Sequence, residues 1–333
     1  MPEACLREEF QIQTTVVGSY PKPPDEGRPF VLRKTLHALD RGDAGPQDVQ
    51  KAVEDLTREV IAEQEAAGID IISDGQAGWP DLLRPFAETI AGFEIGGLLR
   101  WFDNNTYYRR PVCVDDVDWR GPSSVHGFRF ARSVASHPVK AVIPGPVTFA
   151  RLSVDEHYRD HQKFVLALAR VLAQEAFELE AAGAEYIQID EPALLGAPED
   201  ADLARQALDI VTSNLSSAEV TLATYFGDAS KLGVGIFDLP AQVVAFDLVS
   251  GPNNLDLIKK TPPGIKIQAG VMDARNTKLE AVEDIARVVA EITSAVDDAD
   301  VRLSPSAGLE FLPREKARAK LNRLGEAAQR VRV

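Results

Sequence analysis

Cysteine is nearly absent from this 333-residue chain; there are two, Cys5 and Cys113. Neither belongs to a CxxC pair, which excludes a zinc ribbon or a dithiol redox motif. A structural disulfide between them is not expected in the cytoplasmic compartment that the chain's opening suggests. None is needed, because a chain of this length buries roughly three quarters of its unfolded surface. Histidine is sparse too, with five residues. His157 and His161 stand four apart in EHYRDH and would share one helix face. Without HExxH or a neighbouring Cys they read as an exposed pair, and His37, His126 and His137 are isolated. No P-loop, nucleophile elbow or kinase signature is present.

Long hydrophobic runs are missing. Nothing approaches the roughly 20 apolar residues that span a bilayer. The opening MPEACLREEFQIQ is charged and has no apolar h-region, so the expected location is cytoplasmic. A basic excess is missing as well. Lys and Arg number 36 against 51 Asp and Glu, a net charge of −15. Such a surface repels nucleic acid and acidic membranes, which leaves small molecules as the expected partners.

What is present is alternation. Eight short apolar runs, rich in β-branched residues, each lead into Gly, Pro, Ser or Asp. They are Thr14–Tyr20, Ile69–Asp74, Val139–Pro144, Tyr186–Glu191, Val220–Phe226, Val244–Ser250, Ile265–Val271 and Val301–Ser306. Between most of them lie stretches with apolar residues at 3–4 spacing: Pro46–Ala67, Gln162–Ala182, Leu203–Leu215, Leu279–Val296 and Arg314–Val331. Helices of that kind cover the outer face of a parallel sheet. Two of them end alike, in AAGID at 66–70 and AAGAEY at 181–186. In each, Gly stops a helix shortly before a buried strand. The pattern predicts an α/β chain folded as one (β/α)8 TIM barrel domain over 1–333. An open doubly wound sheet is the alternative, but GSYPKPP after the first run is not its G-x-G-x-x-G turn.

One segment breaks the rhythm. About 60 residues, Gly75 to Pro138, separate the second and third runs, too many for an ordinary βα loop. They hold Trp101, Phe102, Tyr107, Tyr108 and Trp119, with Arg100, Arg109, Arg110, Arg120, Arg129 and Arg132. This insert, 75–138, reads as a helical piece plus a hairpin over the barrel mouth. Its other reading is a packing extension with solvated arginines.

In such a barrel, chemistry sits where strands end. Asp190 and Glu191 follow the apolar YIQI, and burying carboxylates there is costly without partners. Strand neighbours point to opposite faces, so one should face the mouth and the other the helix layer or a loop. Such a carboxylate binds an ammonium group or moves a proton; otherwise it pairs with an Arg or caps a helix. The glycines of VVGSYP and IPGPVTF suit close backbone contact with a ligand.

In order along the chain stand TTVVGSYPKP, ISDGQAGWPDLLRPF, VIPGPVTF, QIDEPAL, TYFGD, FDLVSG and GVMDARNT. From Thr14 to Leu312 this series resembles the cobalamin-independent methionine synthases. The resemblance implies a barrel enzyme that passes a methyl group from methyltetrahydrofolate to homocysteine, with zinc holding the thiolate. It assigns Gly18 and Ser19 to homocysteine and Asp190 to the ammonium group. It puts Gln76 where the family uses an acidic residue. The zinc ligands do not carry over. Ala223 and Tyr225 stand in place of a His-x-Cys pair, and Ser306 or Ala307 in place of a Cys. Asp247 matches an acidic ligand loosely, and Arg275 replaces a proton-donating His. TYFGD, FDLVSG and WFDNNTYY are closer to the zinc-free N-terminal barrel of the long enzymes, whereas GSYP resembles the catalytic one.

The expectation is a methyltransferase acting on homocysteine or a related thiol, with a folate-type or other donor and no bound metal. Asp190, Glu191 and Arg275 would carry the chemistry. Gly18, Ser19, Gln76, Tyr225, Asp247 and Ser306 would bind substrate. Arg275 and the insert's arginines would meet a carboxylated donor. The alternative is a non-catalytic partner that binds donor for a second, zinc-bearing barrel.

Overall fold

A computed structural model describes residues 12–297 and 301–332. Cys5 falls outside them. Eight strands form one parallel sheet: β1 (Gln13–Thr14), β2 (Ile72–Ser73), β5 (Val139–Pro144), β7 (Tyr186–Asp190), β8 (Glu219–Ala223), β9 (Val243–Asp247), β10 (Lys266–Met272) and β11 (Val301–Pro305). Three more, β3 (Ala91–Arg100), β4 (Tyr107–Asp118) and β6 (Val154–Asp155), form a second sheet. In the large sheet the order is β1-β11-β10-β9-β8-β7-β5-β2. Its two ends meet, because Thr15 and Ile71 form a parallel bridge. The sheet is thus curled, with helices on its outer face.

Short β1 and β2 leave few backbone bonds at this seam, and side chains supply the rest. Thr15 Oγ1 donates to the Ile71 carbonyl at 2.8 Å, and Ser73 Oγ to that of Gly18 at 2.7 Å. The buried Gln64 amide accepts from Ser73 N at 3.0 Å and donates to Ser73 O at 2.9 Å, standing in for a neighbouring strand.

The helices follow the 3–4 spacing. Pro46–Ala66 buries Ala52, Leu56, Val60 and Ile61 on one side. Each such Leu, Ile or Val contributes roughly 1.5–3 kcal/mol over an exposed position. Gly68 and Gly183 follow helix ends at φ 73° and 89°, where a left-handed residue turns the chain into the next strand. Among the described residues no helix is long and apolar enough to cross a membrane.

The long segment after β2 contains a short helix, Arg84–Thr89, then the antiparallel β3–β4 hairpin and a helix, Val125–Val134. Buried Glu175 anchors the start of that last helix. Its carboxylate accepts from Ser123 N at 2.8 Å, Ser124 N at 2.7 Å and Ser124 Oγ at 2.6 Å.

Candidate active site at the strand ends

Alternation along β7 decides the carboxylate pair. Gln188 and Asp190 face the interior, beside Thr221 and Ala223 of β8 in register. Glu191, one residue on, faces away. Its carboxylate accepts from Val147 N at 2.9 Å and Thr148 N at 2.7 Å, capping the helix Pro146–Arg151. A Cβ on Gly145 would lie 2.1 Å from the Glu191 carboxyl carbon, so glycine is required there. Glu191, expected among the chemical groups, therefore holds backbone. Burial raises its pKa to about 7.

Asp190 is 3% exposed and fully engaged on its inner side. Gln188 Nε2 donates to its Oδ1 at 2.7 Å, and the Tyr225 hydroxyl donates to its Oδ2 at 3.0 Å. Beneath Gln188 lies buried Lys140, whose Nζ donates to Gln188 Oε1 at 2.6 Å. Burial raises Asp190 to about 7, against the opposing pull of these hydrogen bonds and of Lys140. Burial likewise lowers Lys140 to about 7.

A cavity of about 320 Å³ opens above Asp190. Ser19, Gln76, Asp190 and Tyr225 line it, so four of the expected site residues meet there. The rest of its wall includes Lys22, Trp79, Asp81, Trp101, Tyr108, Phe226 and Glu310, which the sequence reading missed as site residues. Trp101 and Tyr108 come from the hairpin and stand edge to face at 5.3 Å. Lys22 Nζ donates to the Trp79 carbonyl. Its pKa is lowered by burial, while Glu310, Asp81 and Asp74 oppose that shift. Burial raises Glu310, against the opposing pull of a Ser19 side-chain hydrogen bond and of Lys22, while its Oε2 atom makes no hydrogen bond. Two cues lay in the sequence: Lys22 sits inside GSYPKP, and Glu310 follows the last strand.

Backbone strain gathers here. Among the described residues four non-glycines have positive φ, and Gln76 (51°) and Phe226 (69°) line the cavity. A third, Phe102 at 50°, packs on Phe226 with ring centroids 5.4 Å apart. Bulky residues adopt this conformation rarely and at a cost, most often at functional sites.

Besides Glu191, four expected site residues lie outside the lining. Gly18 backs it, with Gln76 Nε2 3.1 Å from where a Cβ would be. Asp247 is consumed by backbone amides, from Phe226 at 3.1 Å, Val249 at 2.9 Å and Ser250 at 2.8 Å. Ser306 ties β10 to β11, donating its N–H to Met272 O at 2.7 Å and accepting from Ala274 N at 3.2 Å. Arg275 spans the mouth instead. It donates to Asp103 at 2.9 Å, Asn104 at 3.3 Å and Ser250 at 2.8 Å, and its guanidinium lies over the Phe226 ring at 5.1 Å. Of the insert's arginines, Arg100, Arg110 and Arg132 donate to main-chain carbonyls. Arg100 and Arg275 both border an open depression beside the cavity.

The zinc implied by the resemblance does not fit these residues. Zinc needs thiolate, imidazole or carboxylate in a tetrahedron. Residues 223–226 read Ala-Thr-Tyr-Phe, 306–307 read Ser-Ala, and the Asp247 carboxylate is occupied. Among the described residues one group could hold a metal, Asp115, Asp116 and His157, and it is exposed on the insert side. His161 pairs with Asp200 at 2.8 Å.

A family model described as "Cobalamin-independent synthase, Catalytic domain" matches residues 12–330. The chain belongs to that family. It is 32% identical to a methionine synthase of Saccharolobus solfataricus over 323 residues, 96% of this chain and 95% of the relative. To the methionine synthase of Pyrococcus abyssi it is 30% identical, across 96% and 93% of the two chains. Its fold is similar to that of a B12-independent methionine synthase from a Shewanella species in complex with selenomethionine. That match has a TM-score of 0.83 and 24% identity, and covers 97% and 98% of the chains. A methyltransferase from Methanosarcina mazei shares the fold at a TM-score of 0.65 with 14% identity, over 95% and 94%. Among the described residues, those that line the cavity include no cysteine and no histidine.

Proposed function

We propose that this protein is a methyltransferase of the methionine synthase type that works on homocysteine or a related thiol amino acid without a bound zinc. One observation carries the reading: Ser19, Asp190 and Tyr225, from three separate strand ends, line one cavity. We further read the curled sheet, joined at Thr15 and Ile71, as a closed (β/α)8 barrel forming a single domain, with 75–138 an insert that roofs its mouth.

In this reading Asp190, held by Gln188 and Tyr225, takes the ammonium group of the acceptor, and Ser19 and Gln76 orient it. The Shewanella relative, solved in complex with selenomethionine, is in keeping with an amino-acid ligand. The acceptor thiol must lose its proton to become nucleophilic. Glu310, with a buried unpartnered oxygen on the cavity wall, is the carboxylate available to accept it. The methyl group then passes from donor to sulfur, and the donor leaves with the electron pair of the broken bond.

Missing zinc ligands favour one other reading, a donor-binding partner of a zinc-bearing barrel. Assaying the metal-stripped protein for methionine, alone and with such a barrel, separates the two. Turnover alone supports the enzyme. Turnover only in the mixture supports the partner.

A further inference from the structure

The cavity is more anionic than an amino-acid site requires. Asp190 alone suffices for one ammonium group. Yet Asp81 and Glu310 also line the wall, against a single cationic side chain, Lys22. Glu310 is placed tellingly. A Cβ on Gly308 would lie 2.2 Å from Glu310 Oε2 and 2.2 Å from Ser19 Oγ, so these two oxygens converge on one point of the wall. Oε2 has no partner there. A ligand carboxylate set against Ser19 would meet this second carboxylate. A cation would satisfy it.

Aromatic side chains line the same cavity: Trp79, Trp101, Tyr108 and Phe226. Aromatic faces beside carboxylates attract cations, above all diffuse ones that shed water cheaply, such as sulfonium and quaternary ammonium groups.

We propose that Glu310 and these aromatic side chains form a subsite for an onium group, and that the methyl donor is a small sulfonium or quaternary ammonium compound. The inference rests on the methyltransferase reading above and names its donor class. The chemistry balances without a metal. The acceptor S–H gives its proton to a carboxylate of the wall, and the sulfur lone pair forms the new S–CH3 bond. The CH3–S+ or CH3–N+ bond of the donor breaks, and its electron pair returns to the leaving atom. That atom departs as a neutral sulfide or amine and needs no protonation, so nothing is asked of Arg275, whose guanidinium is tied to Asp103 and Ser250. Lys22 remains for the acceptor's carboxylate.

Calorimetric titration with choline and with its neutral isostere 3,3-dimethylbutan-1-ol tests the subsite. Choline should bind the wild-type protein about tenfold more tightly or better. Glu310→Gln should erase the preference, and Glu310→Asp should retain part of it, with neither variant melting below wild type. Trimethylsulfonium with homocysteine should yield methionine and dimethyl sulfide in equal amounts. Equal affinity for choline and the alcohol, or an undiminished preference in Glu310→Gln, overturns the proposal. A separate titration with homocysteine keeps the two claims apart. Homocysteine bound without onium preference sinks the subsite alone, whereas onium preference without homocysteine binding sinks the methionine-synthase reading.

Discussion

Gln188 Nε2 donates to Asp190 Oδ1 at 2.7 Å while Gln188 Oε1 accepts from Lys140 Nζ at 2.6 Å. One amide thus joins a buried cation to the carboxylate at the cavity floor. The amide can serve both only in this orientation, so it fixes the rotamer of Asp190 as well as its charge balance. Tyr225 closes the arrangement from β8's end, at 3.0 Å.

The first prediction concerns pH. Folding raises Asp190 to about 7, so the folded state favours its neutral form. The stability that this contributes is complete at acid pH and is lost as pH rises through about 7. Ligand binding should run the other way, because an ammonium group needs the carboxylate. Homocysteine affinity should fall as pH drops below about 7. Asp190→Asn should flatten that profile, weaken binding at pH 8 by tenfold or more as for loss of a charge-assisted bond, and melt higher than wild type at pH 8. Calorimetry and melting at pH 5 to 8 check both trends.

Glu191 should behave as a structural residue. Glu191→Ala removes the acceptor for two buried amides, of Val147 and Thr148, and should cost about 2–4 kcal/mol of stability. The kcat of the protein that remains folded should stay within about threefold of wild type. Denaturant unfolding and active-fraction kinetics measure the two. A stable but inactive variant would return Glu191 to the chemistry.

Arg275 should act on the roof. Its bonds to Asp103, Asn104 and Ser250 tie the hairpin turn to the strand ends, in a half-exposed setting where an ion pair is worth about 0.2–1 kcal/mol. Arg275→Ala should raise KM a few-fold and leave kcat nearly unchanged. Abolished kcat with an unchanged KM would put the guanidinium in the reaction itself.

Glu175 anchors the insert's last helix through three hydrogen bonds. Glu175→Ala should destabilise the protein by about 1–3 kcal/mol, since it strands the buried Ser124 amide and the partly buried Ser123 amide. Amide exchange should rise first in 123–134, where that helix begins, before the parallel strands respond.

The parallel strands were legible because their runs are buried on both faces and read as unbroken apolar words; Val139–Pro144 is a strand over the same residues that the pattern selects. The amphipathic helix Arg314–Val331 matches its expected bounds as well. Thr14–Tyr20 was overdrawn. The chain leaves the ladder after Thr15, and side chains stitch the seam instead. In the site, period-two alternation requires that Asp190 and Glu191 face opposite ways, but not which of them faces in. The cavity decides that, since Asp190 lines it and Glu191 does not. Asp247 looked like a ligand because it is acidic at a strand end, yet three backbone amides claim it, and such turn bonds leave no sequence signal. Glu310 had a cue in its place after the last strand but not in its direction. It lies in a 3-10 turn, Leu309–Phe311, where no periodicity tells which way a side chain points.

The central claim is an amino-acid cavity that functions without zinc. Titrating homocysteine into chelator-stripped protein, beside Asp190→Asn treated in the same way, tests it most directly. Stripped wild-type protein should bind as tightly as untreated protein, and Asp190→Asn about tenfold or more weakly. Binding that vanishes with the chelator and returns with zinc, or that ignores the loss of the Asp190 carboxylate, would contradict the account.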